Sequence, residues 1–219
     1  MKIIYEDNHL LVVEKPINVP MQEDESKDMD LLSLCKSYLK DKYHKPGNVF
    51  CGLVHRLDRP VGGVAVFAKT SKAASRLSES IRENKVTKIY QAVITGKIPQ
   101  EKTLIDYLHK DEKTNTTSVT TSDKGKYSEL KFKVIDSRDG YHLIEIELIT
   151  GRSHQIRVQF ASRGAALWGD ARYNKTSKPG QQLALWATSL SFPHPITQEL
   201  ITFKSEKPRT QAWVTFESK

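Results

Sequence analysis

The sequence lacks the residue patterns that mark metal and cofactor sites. It has only two cysteines, Cys35 and Cys51, which are too few and too far apart to form a zinc cluster. We interpret both as ordinary small residues of the core or near-surface, kept reduced in the cytosol. No two histidines stand at helical spacing, and neither a phosphate-binding loop nor a dinucleotide-binding glycine pattern occurs. The sequence therefore predicts no metal site and no small-molecule cofactor.

Long apolar runs are absent as well. No stretch approaches the ~20 apolar residues that a membrane-spanning helix needs. The first residues, MKIIYEDNHLLVVEKP, do not have the layout of a signal peptide, because acidic residues interrupt their short apolar runs. These absences predict a cytoplasmic protein with no membrane partner.

The composition is that of a globular protein. Hydrophobic residues make up 38% and charged residues 27% of the 219 residues, which excludes a disordered chain and a fibrous repeat. This length suffices for one sizeable domain or two small ones. No internal repeat or linker divides the chain, so we expect a single domain over residues 1–219, acting as a monomer.

The net charge of +8 and the isoelectric point of about 9.3 favour a polyanionic partner. Lysines and arginines that neutralise phosphates release counterions, and binding gains affinity from this release. Many cytosolic proteins are basic without binding nucleic acid, however. The charge therefore suggests RNA or DNA as a partner without deciding the question.

The apolar patterns predict strands and helices in irregular order. Typical of strands are IIYEDNHLLVVEKP, GGVAVFAKT, VTKIYQAVITG and YHLIEIELIT, and typical of helices are LLSLCKSYLK, SKAASRLSESIREN and SHQIRVQFASRG. Ser71 is the expected N-cap of the second helix. The polar residues 109–126 predict either a mobile loop or an exposed hairpin. Because no regular βαβ alternation occurs, we expect an α+β fold with a large, mainly antiparallel or mixed sheet flanked by helices and loops.

The stretch LVHRLDRPVGG, residues 53–63, holds the first candidate site. Asp58 stands between Arg56 and Arg59, whose guanidinium groups favour the charged form of its carboxyl. Such a carboxylate is suited to act as a nucleophile or to stabilise positive charge on a substrate. The two glycines that follow would let the backbone approach a ligand closely. A structural ion pair at a turn is the alternative interpretation.

A second candidate site lies in residues 148–173, LITGRSHQIRVQFASRGAALWGDARY. Five polar or basic residues fall near a predicted strand-to-helix junction, namely Arg152, His154, Gln155, Arg157 and Arg163. Buried arginines need anionic partners, for which Asp58 and phosphate groups are the candidates. A basic amphipathic helix on the surface is the alternative. Asp170 is interpreted as a turn or cap residue.

These segments, in this order, resemble the RluA-type RNA pseudouridine synthases, which isomerise uridine within RNA. HRLDRPVGG is similar to the family's signature around its catalytic aspartate, and KIYQAVITG is similar to the segment that carries its tyrosine. TGRSHQIRVQFASRGAALWGD is similar to the segment that carries its arginine. The opening strands and LSFPHPIT also resemble the family, so that the likeness spans about residues 3–208.

The resemblance implies a pseudouridine synthase fold and a role for each matching residue. Asp58 would be the catalytic residue, Arg157 would pair with it, and Tyr90 would stack on the target uracil. Arg56 would fill the space left by a flipped nucleotide. The expected substrate-binding residues, in full, are Arg56, His55, Arg152, His154 and Gln155, and lysines such as Lys15, Lys69 and Lys88 are expected along the RNA path.

The implied reaction breaks the bond from the ribose to N1 of a uracil in ribosomal or transfer RNA, turns the base and rejoins it through C5. It needs no cofactor and no metal, but the base must be flipped out of folded RNA. Asp58 would either attack C1′ or remove the C2′ proton. A glycoside hydrolase or base-excising glycosylase built around Asp58 is disfavoured, because most glycoside hydrolases need a second acid and no other carboxylate stands in a comparable setting. A catalytically silent RNA-binding protein of the same fold remains the alternative.

Three positions depart from the family's pattern and bear on substrate fit. Asn18 stands where glycine is usual, although Asn tolerates a left-handed backbone. Gln159 stands where histidine is usual, and LALWA replaces a common L-H-A. The first catalytic strand begins at Ile3, so we expect a stand-alone catalytic domain without the N-terminal RNA-binding domain of many relatives.

Overall fold

The computed structural model describes residues 1–217, which form eleven strands and three α-helices. The strands are β1 (Lys2–Glu6), β2 (Leu10–Lys15), β3 (Gly52–Leu53), β4 (Gly62–Ala68), β5 (Thr87–Thr95), β6 (Thr103–Asp111), β7 (Thr116–Thr120), β8 (Lys126–Arg138), β9 (Tyr141–Leu148), β10 (Leu185–Pro193) and β11 (Leu200–Lys204). The helices are α1 (Leu31–Lys42), α2 (Ser71–Arg82) and α3 (Gln155–Ala161), and a short 3-10 helix spans Gln211–Phe216.

The chain divides into two compact units. The first comprises Met1–Thr87 and Ala187–Glu206, and the second comprises Lys88–Trp186 and the chain from Lys207 onwards. Each unit is built on antiparallel strand pairs with helices beside them, which confirms the predicted α+β class. The expectation of a single domain stays a prediction.

In the first unit the strand order is β1-β2-β4-β10, with β3 also pairing with β4 and β11 with β10. The run of apolar residues in β2 predicts a strand covered on both faces, and Leu10 to Val13 are indeed fully buried. The core is formed by residues of β2, β4, α2 and β10, namely Leu10, Val12, Val64, Val66, Ala68, Ala73, Leu77, Leu190 and Phe192.

Two local features of this unit differ from the sequence-based expectation. The N-cap of α2 is Thr70, not Ser71, because Thr70 has the extended backbone of a cap and accepts a hydrogen bond from Ala73 N. Gly63 has a φ of +119°, and a Cβ there would lie 2.2 Å from Ala187 O. The close backbone approach at this glycine is therefore to a neighbouring strand, where the sequence suggested a ligand.

In the second unit the strand order is β5-β9-β8-β6-β7. Ile144 and Ile146 of β9 are fully buried whereas Glu147 is exposed, as the alternating pattern predicts. Residues 109–126 form the end of β6, the whole of β7 and the turns beside it, so the exposed-hairpin alternative is confirmed and the mobile loop is wrong. A cluster of aromatic and aliphatic side chains fills the core, namely Val93, Leu143, Ala184, Trp186, Ala212, Trp213 and Phe216.

Candidate active site

Asp58 lies in the loop that connects β3 to β4 in the first unit. The loop turns at this residue, because the Asp58 carbonyl accepts a hydrogen bond from Val61 N at 3.0 Å. Its side chain is half-buried, whereas that of Arg56 is exposed. His55 Nε2 accepts a hydrogen bond from Val66 N of β4 at 3.0 Å, so this ring supports the start of the loop.

The second arginine beside Asp58 is held by an acidic loop of the same unit. Arg59 donates to Ser26 Oγ at 2.9 Å and to the carboxylate of Asp28, and its Nη1 lies 3.6 Å from Asp24 Oδ2. The acidic residues of this loop therefore balance a guanidinium group. The sequence position of Arg59 indicates only that its guanidinium group is a neighbour of the Asp58 carboxyl.

A fully buried lysine holds the Asp58 loop from below. Lys15, the last residue of β2, donates hydrogen bonds to three carbonyl oxygens, those of Pro16 (3.1 Å), Arg59 (2.9 Å) and Val61 (2.7 Å). Burial lowers its pKa to about 7, even though the Asp58 charge acts in the opposite direction. The expectation that Lys15 lines an exposed RNA path is therefore wrong. Lys15 is buried and fixes the loop that carries Asp58.

Replacing Lys15 with methionine is expected to remove a pH-dependent part of the stability. The folded-state pKa lies below the ordinary value of 10.5, so the unfolded chain binds more protons between about pH 7 and pH 10.5. The free energy of unfolding of the wild type should therefore gain on the order of a few kcal/mol from this group as the pH rises through that window. Urea unfolding of both proteins from pH 6.5 upwards measures the two slopes, and parallel curves would contradict the assignment.

The other two lysines expected along the RNA path are also partly withdrawn from solvent. Lys69 donates to Glu6 Oε1 at 2.7 Å, and its side chain is 9% exposed. Burial lowers the pKa of Lys88, and the nearby Arg152 charge acts in the same direction.

Asn18 has a φ of +63°, so the left-handed backbone expected at this position is confirmed.

Tyr90 lies on β5 in the second unit. It stands opposite Ile146 of β9 and is 7% exposed. An aromatic ring on a strand has few rotamers open to it, and pairing with a buried isoleucine restricts it further. Tyr90 is therefore a largely buried side chain beside a core position of β9, and its stacking role stays a prediction.

The junction of β9 and α3 brings together three of the residues predicted for the second candidate site, namely Arg152, His154 and Gln155. Gln155 Oε1 accepts from Arg152 N at 3.0 Å and from Thr150 Oγ1 at 2.8 Å, while its Nε2 donates to Glu129 O at 3.0 Å. His154 has a left-handed backbone with a φ of +52° immediately before α3. The Gln155 side-chain amide therefore stabilises the turn. The Arg152 side chain is exposed.

Arg157 forms a buried ion pair with Asp170. Its Nε and Nη2 each donate to one oxygen of this carboxylate at 2.8 Å, and the two side chains are 6% and 0% exposed. Asp170 Oδ1 also accepts from the backbone N–H groups of Arg172 and Tyr173, so its predicted turn role is present too. The sequence had considered only Asp58 and phosphates as partners of Arg157. Its expected pairing with Asp58 stays a prediction.

The helix that carries Arg157 is not a surface helix. All residues from Gln155 to Phe160 are buried, because α3 packs against the sheet of its unit and its polar side chains have internal partners. Gln159 Nε2 donates to Asp106 Oδ2 at 2.7 Å, and Arg163 Nη1 donates to the same oxygen at 2.8 Å. The departure from the family's pattern at Gln159 therefore lies in a buried polar network.

Asp170 and Tyr173 are the functional candidates that the sequence interpretation missed. One signal for Asp170 was available, because it is the only acidic residue between Glu147 and Glu199. A buried arginine in this stretch has no other carboxylate nearby in the chain. Tyr173 had no comparable signal, since its contacts are set by the tertiary structure.

Residues 1–217 contain no group of three or more His, Cys, Asp or Glu side chains arranged to hold a metal ion. Cys35 and Cys51 are both buried and unbridged. Within the same residues, no helix has the length and apolar character required to traverse a bilayer.

Comparison with known proteins assigns the chain to a family. The family profile described as RNA pseudouridylate synthase matches residues 9–162. An uncharacterized RNA pseudouridine synthase of Bacillus subtilis is 32% identical over 212 residues, which cover 95% of this chain and 69% of that relative. The ribosomal large subunit pseudouridine synthase D of Zymomonas mobilis is 30% identical over 221 residues, which cover 95% of this chain and 70% of that relative.

A solved structure shares the fold. The human RNA pseudouridylate synthase domain containing 4 has a TM-score of 0.80 at 20% identity, over 98% of this chain and 90% of that chain. The matched profile includes the positions of Asp58, Tyr90 and Arg157, and the two relatives match nearly the whole chain. The chain therefore belongs to the RluA-type family of RNA pseudouridine synthases, which are isomerases.

Proposed function

We propose that this protein converts uridine in ribosomal RNA to pseudouridine, with Asp58 as the catalytic carboxylate. The family match over residues 9–162, which includes Asp58, Tyr90 and Arg157, supports this proposal most strongly. Ribosomal RNA is preferred to transfer RNA because relatives from Zymomonas mobilis and Buchnera aphidicola are named as ribosomal large subunit pseudouridine synthases. The net charge of +8 suits a polyanionic substrate.

The reaction exchanges one bond of the uracil for another. The bond from ribose C1′ to N1 breaks, the base rotates, and C5 forms the new bond to C1′. The C5 proton is then lost to solvent while N1 gains a proton, so no electrons enter or leave. Asp58 acts either by attack on C1′ or by removal of the C2′ proton, and both routes use the ionised carboxylate that an aspartate carries at neutral pH.

The other candidate residues serve the flipped nucleotide. Tyr90 stacks on the uracil and assists loss of the C5 proton, and Arg157 supports the Asp58 carboxylate. Arg56 is exposed in the Asp58 loop and takes the position that the flipped nucleotide leaves in the RNA. His55, Arg152, His154 and Gln155 complete the substrate-binding set, with His55 and Gln155 acting through the loops they hold.

The protein is further inferred to act as a monomer in the cytoplasm. A catalytic carboxylate, a stacking tyrosine and a supporting arginine are all available on one chain, which supports a monomer. Transfer RNA remains the second substrate class that the experiment distinguishes.

Tritium release from RNA labelled at uracil C5 tests the proposal. Ribosomal and transfer RNA are purified separately from cells that lack this protein, so that its target uridine is unmodified in both. We expect the wild type to release tritium from the ribosomal fraction, up to one equivalent for each target site. Release from the transfer fraction alone would move the substrate to transfer RNA. Binding of both fractions without any release would favour the silent RNA-binding protein.

A further inference from the structure

Tyr173 contacts three separate parts of the second unit. Its hydroxyl accepts a hydrogen bond from Thr117 N of β7 at 2.8 Å and lies 2.8 Å from His154 Nδ1. The centre of its ring lies 5.1 Å from the guanidinium carbon of Arg157. A single side chain thus touches the β6–β7 hairpin, the residue before α3 and the buried arginine.

The contact with Arg157 adds to the Asp170 ion pair. Asp170 fixes the Nε and Nη2 edge of the guanidinium group, and the Tyr173 ring interacts with the cation as an aromatic surface. A planar cation held both at an edge and by a ring has little freedom to rotate. The orientation of Arg157 therefore depends on Tyr173 as well as on Asp170.

The hydroxyl contacts join the same tyrosine to an edge strand, β7, and to the left-handed turn before α3. Thr117 lies on β7, at the end of the strand order of its unit, and Tyr173 supplies a partner for its N–H group. His154 has the left-handed backbone that starts α3, and its ring meets the Tyr173 ring edge-on at 5.6 Å. Movement of the hairpin or of this turn would therefore shift the Tyr173 ring, and with it the contact of the ring with Arg157.

The neighbour of Tyr173 strengthens the link to the hairpin. Arg172 donates from Nη1 to the carbonyls of Thr114, at 3.1 Å, and of Asn115, both in the turn between β6 and β7. Residues 170–173 therefore hold Arg157 at one end and the hairpin at the other. This short segment is one physical connection between the two, beside the contacts of Gln159 and Arg163 with Asp106 of β6.

We propose that Tyr173 is a positioning residue, which couples the β6–β7 hairpin to Arg157 and holds that arginine in the orientation that catalysis requires. The inference rests on the proposed function of the same site. Its effect should appear in the rate of the chemical step at saturating RNA. The RNA concentration that gives half the maximal rate should stay the same.

The test compares three tyrosine variants in the tritium-release assay under single-turnover conditions. Tyr173→Phe keeps the ring and loses the hydroxyl contacts, so we expect a rate about fivefold lower than that of the wild type. Tyr173→Leu also loses the ring, and its rate should be about 30-fold lower than the wild-type rate. Tyr5→Phe is the matched control, because its hydroxyl bonds to Asp7 in the first unit, and its rate should be unchanged.

Hydrogen exchange of the same variants gives a second readout that needs no activity. In Tyr173→Phe, coupling requires faster amide exchange both at Thr117 and along α3, whereas a purely local contact would affect Thr117 alone. A wild type that releases no tritium would overturn the proposed function, and the exchange pattern would still decide the coupling. Equal rates for wild type and Tyr173→Leu, or a change confined to the half-saturating RNA concentration, would overturn the positioning role.

Discussion

Replacing Asp58 with asparagine is expected to abolish tritium release, lowering the single-turnover rate by a factor on the order of 10⁴ or more. Asparagine has nearly the shape of aspartate, but it can neither attack C1′ nor accept the C2′ proton. The loop should keep its form, because Lys15 donates to the backbone carbonyls of Arg59 and Val61, and the substitution leaves both carbonyls in place. RNA binding should therefore stay within about twofold of the wild type.

Asp41→Asn provides the matched control for this prediction. Asp41 lies exposed near the end of α1 in the same unit, and its replacement should leave the rate unchanged. Filter binding of labelled RNA, measured beside the rate, separates a loss of chemistry from a loss of binding. An Asp58→Asn rate above about a tenth of the wild-type value would mean that another carboxylate performs the reaction.

Replacing Asp170 with asparagine is expected to lower the free energy of unfolding by about 3–5 kcal/mol. The change leaves the buried Arg157 cation without its carboxylate, and an amide N–H₂ group at the Oδ2 position would face the Arg157 Nε donor. Activity should fall as well, because the guanidinium group is no longer held at its edge. Urea unfolding monitored by circular dichroism measures the stability, and tritium release measures the activity.

The chain offers a surface pair of the same chemistry as a control. Arg138 Nε bonds to Asp136 Oδ2 at 2.8 Å, but these side chains are 44% and 34% exposed. Asp136→Asn should cost less than about 1 kcal/mol, because water solvates the arginine that remains. The double variant Arg157→Met with Asp170→Leu removes both buried charges, so it should recover part of the lost stability without recovering activity. The recovery is partial because the N–H groups of Arg172 and Tyr173 lose the Asp170 acceptor. Equal losses from Asp170→Asn and Asp136→Asn would show that burial of the Arg157 pair has no energetic consequence.

Local patterns predicted most of the strands and helices around the candidate site. The apolar run of β2 and the alternation in β9 follow from the two-residue period of a strand, which is a property of the backbone and needs no tertiary information. The one-residue error at the start of α2 has a similarly local cause, because Thr70 and Ser71 are both good N-cap residues. Backbone geometry selected Thr70.

Partners of charged side chains were not predictable in the same way. The sequence identified Arg157 as a residue that needs an anion, and one carboxylate that pairs with it, Asp170, lies 13 positions away along the chain. The carboxylates that contact Arg59 belong to the Asp24–Asp28 loop, more than 30 positions away. Charged residues that are close in sequence need not be close in space. A turn or a strand pairing can separate sequence neighbours and bring together residues from distant segments. The sequence interpretation therefore found the cations and missed these carboxylates, while the pairing of Arg157 with Asp58 stays a prediction.

By itself, the sequence determined the family, the α+β class and the candidates Asp58, Tyr90 and Arg157, because these follow from ordered motifs and short-range periodicity. Only the tertiary structure decided that Lys15 is buried beneath the Asp58 loop and that the helix carrying Arg157 lies in the core. Burial is a property of the whole set of contacts around a residue, and those contacts come from segments distant in sequence.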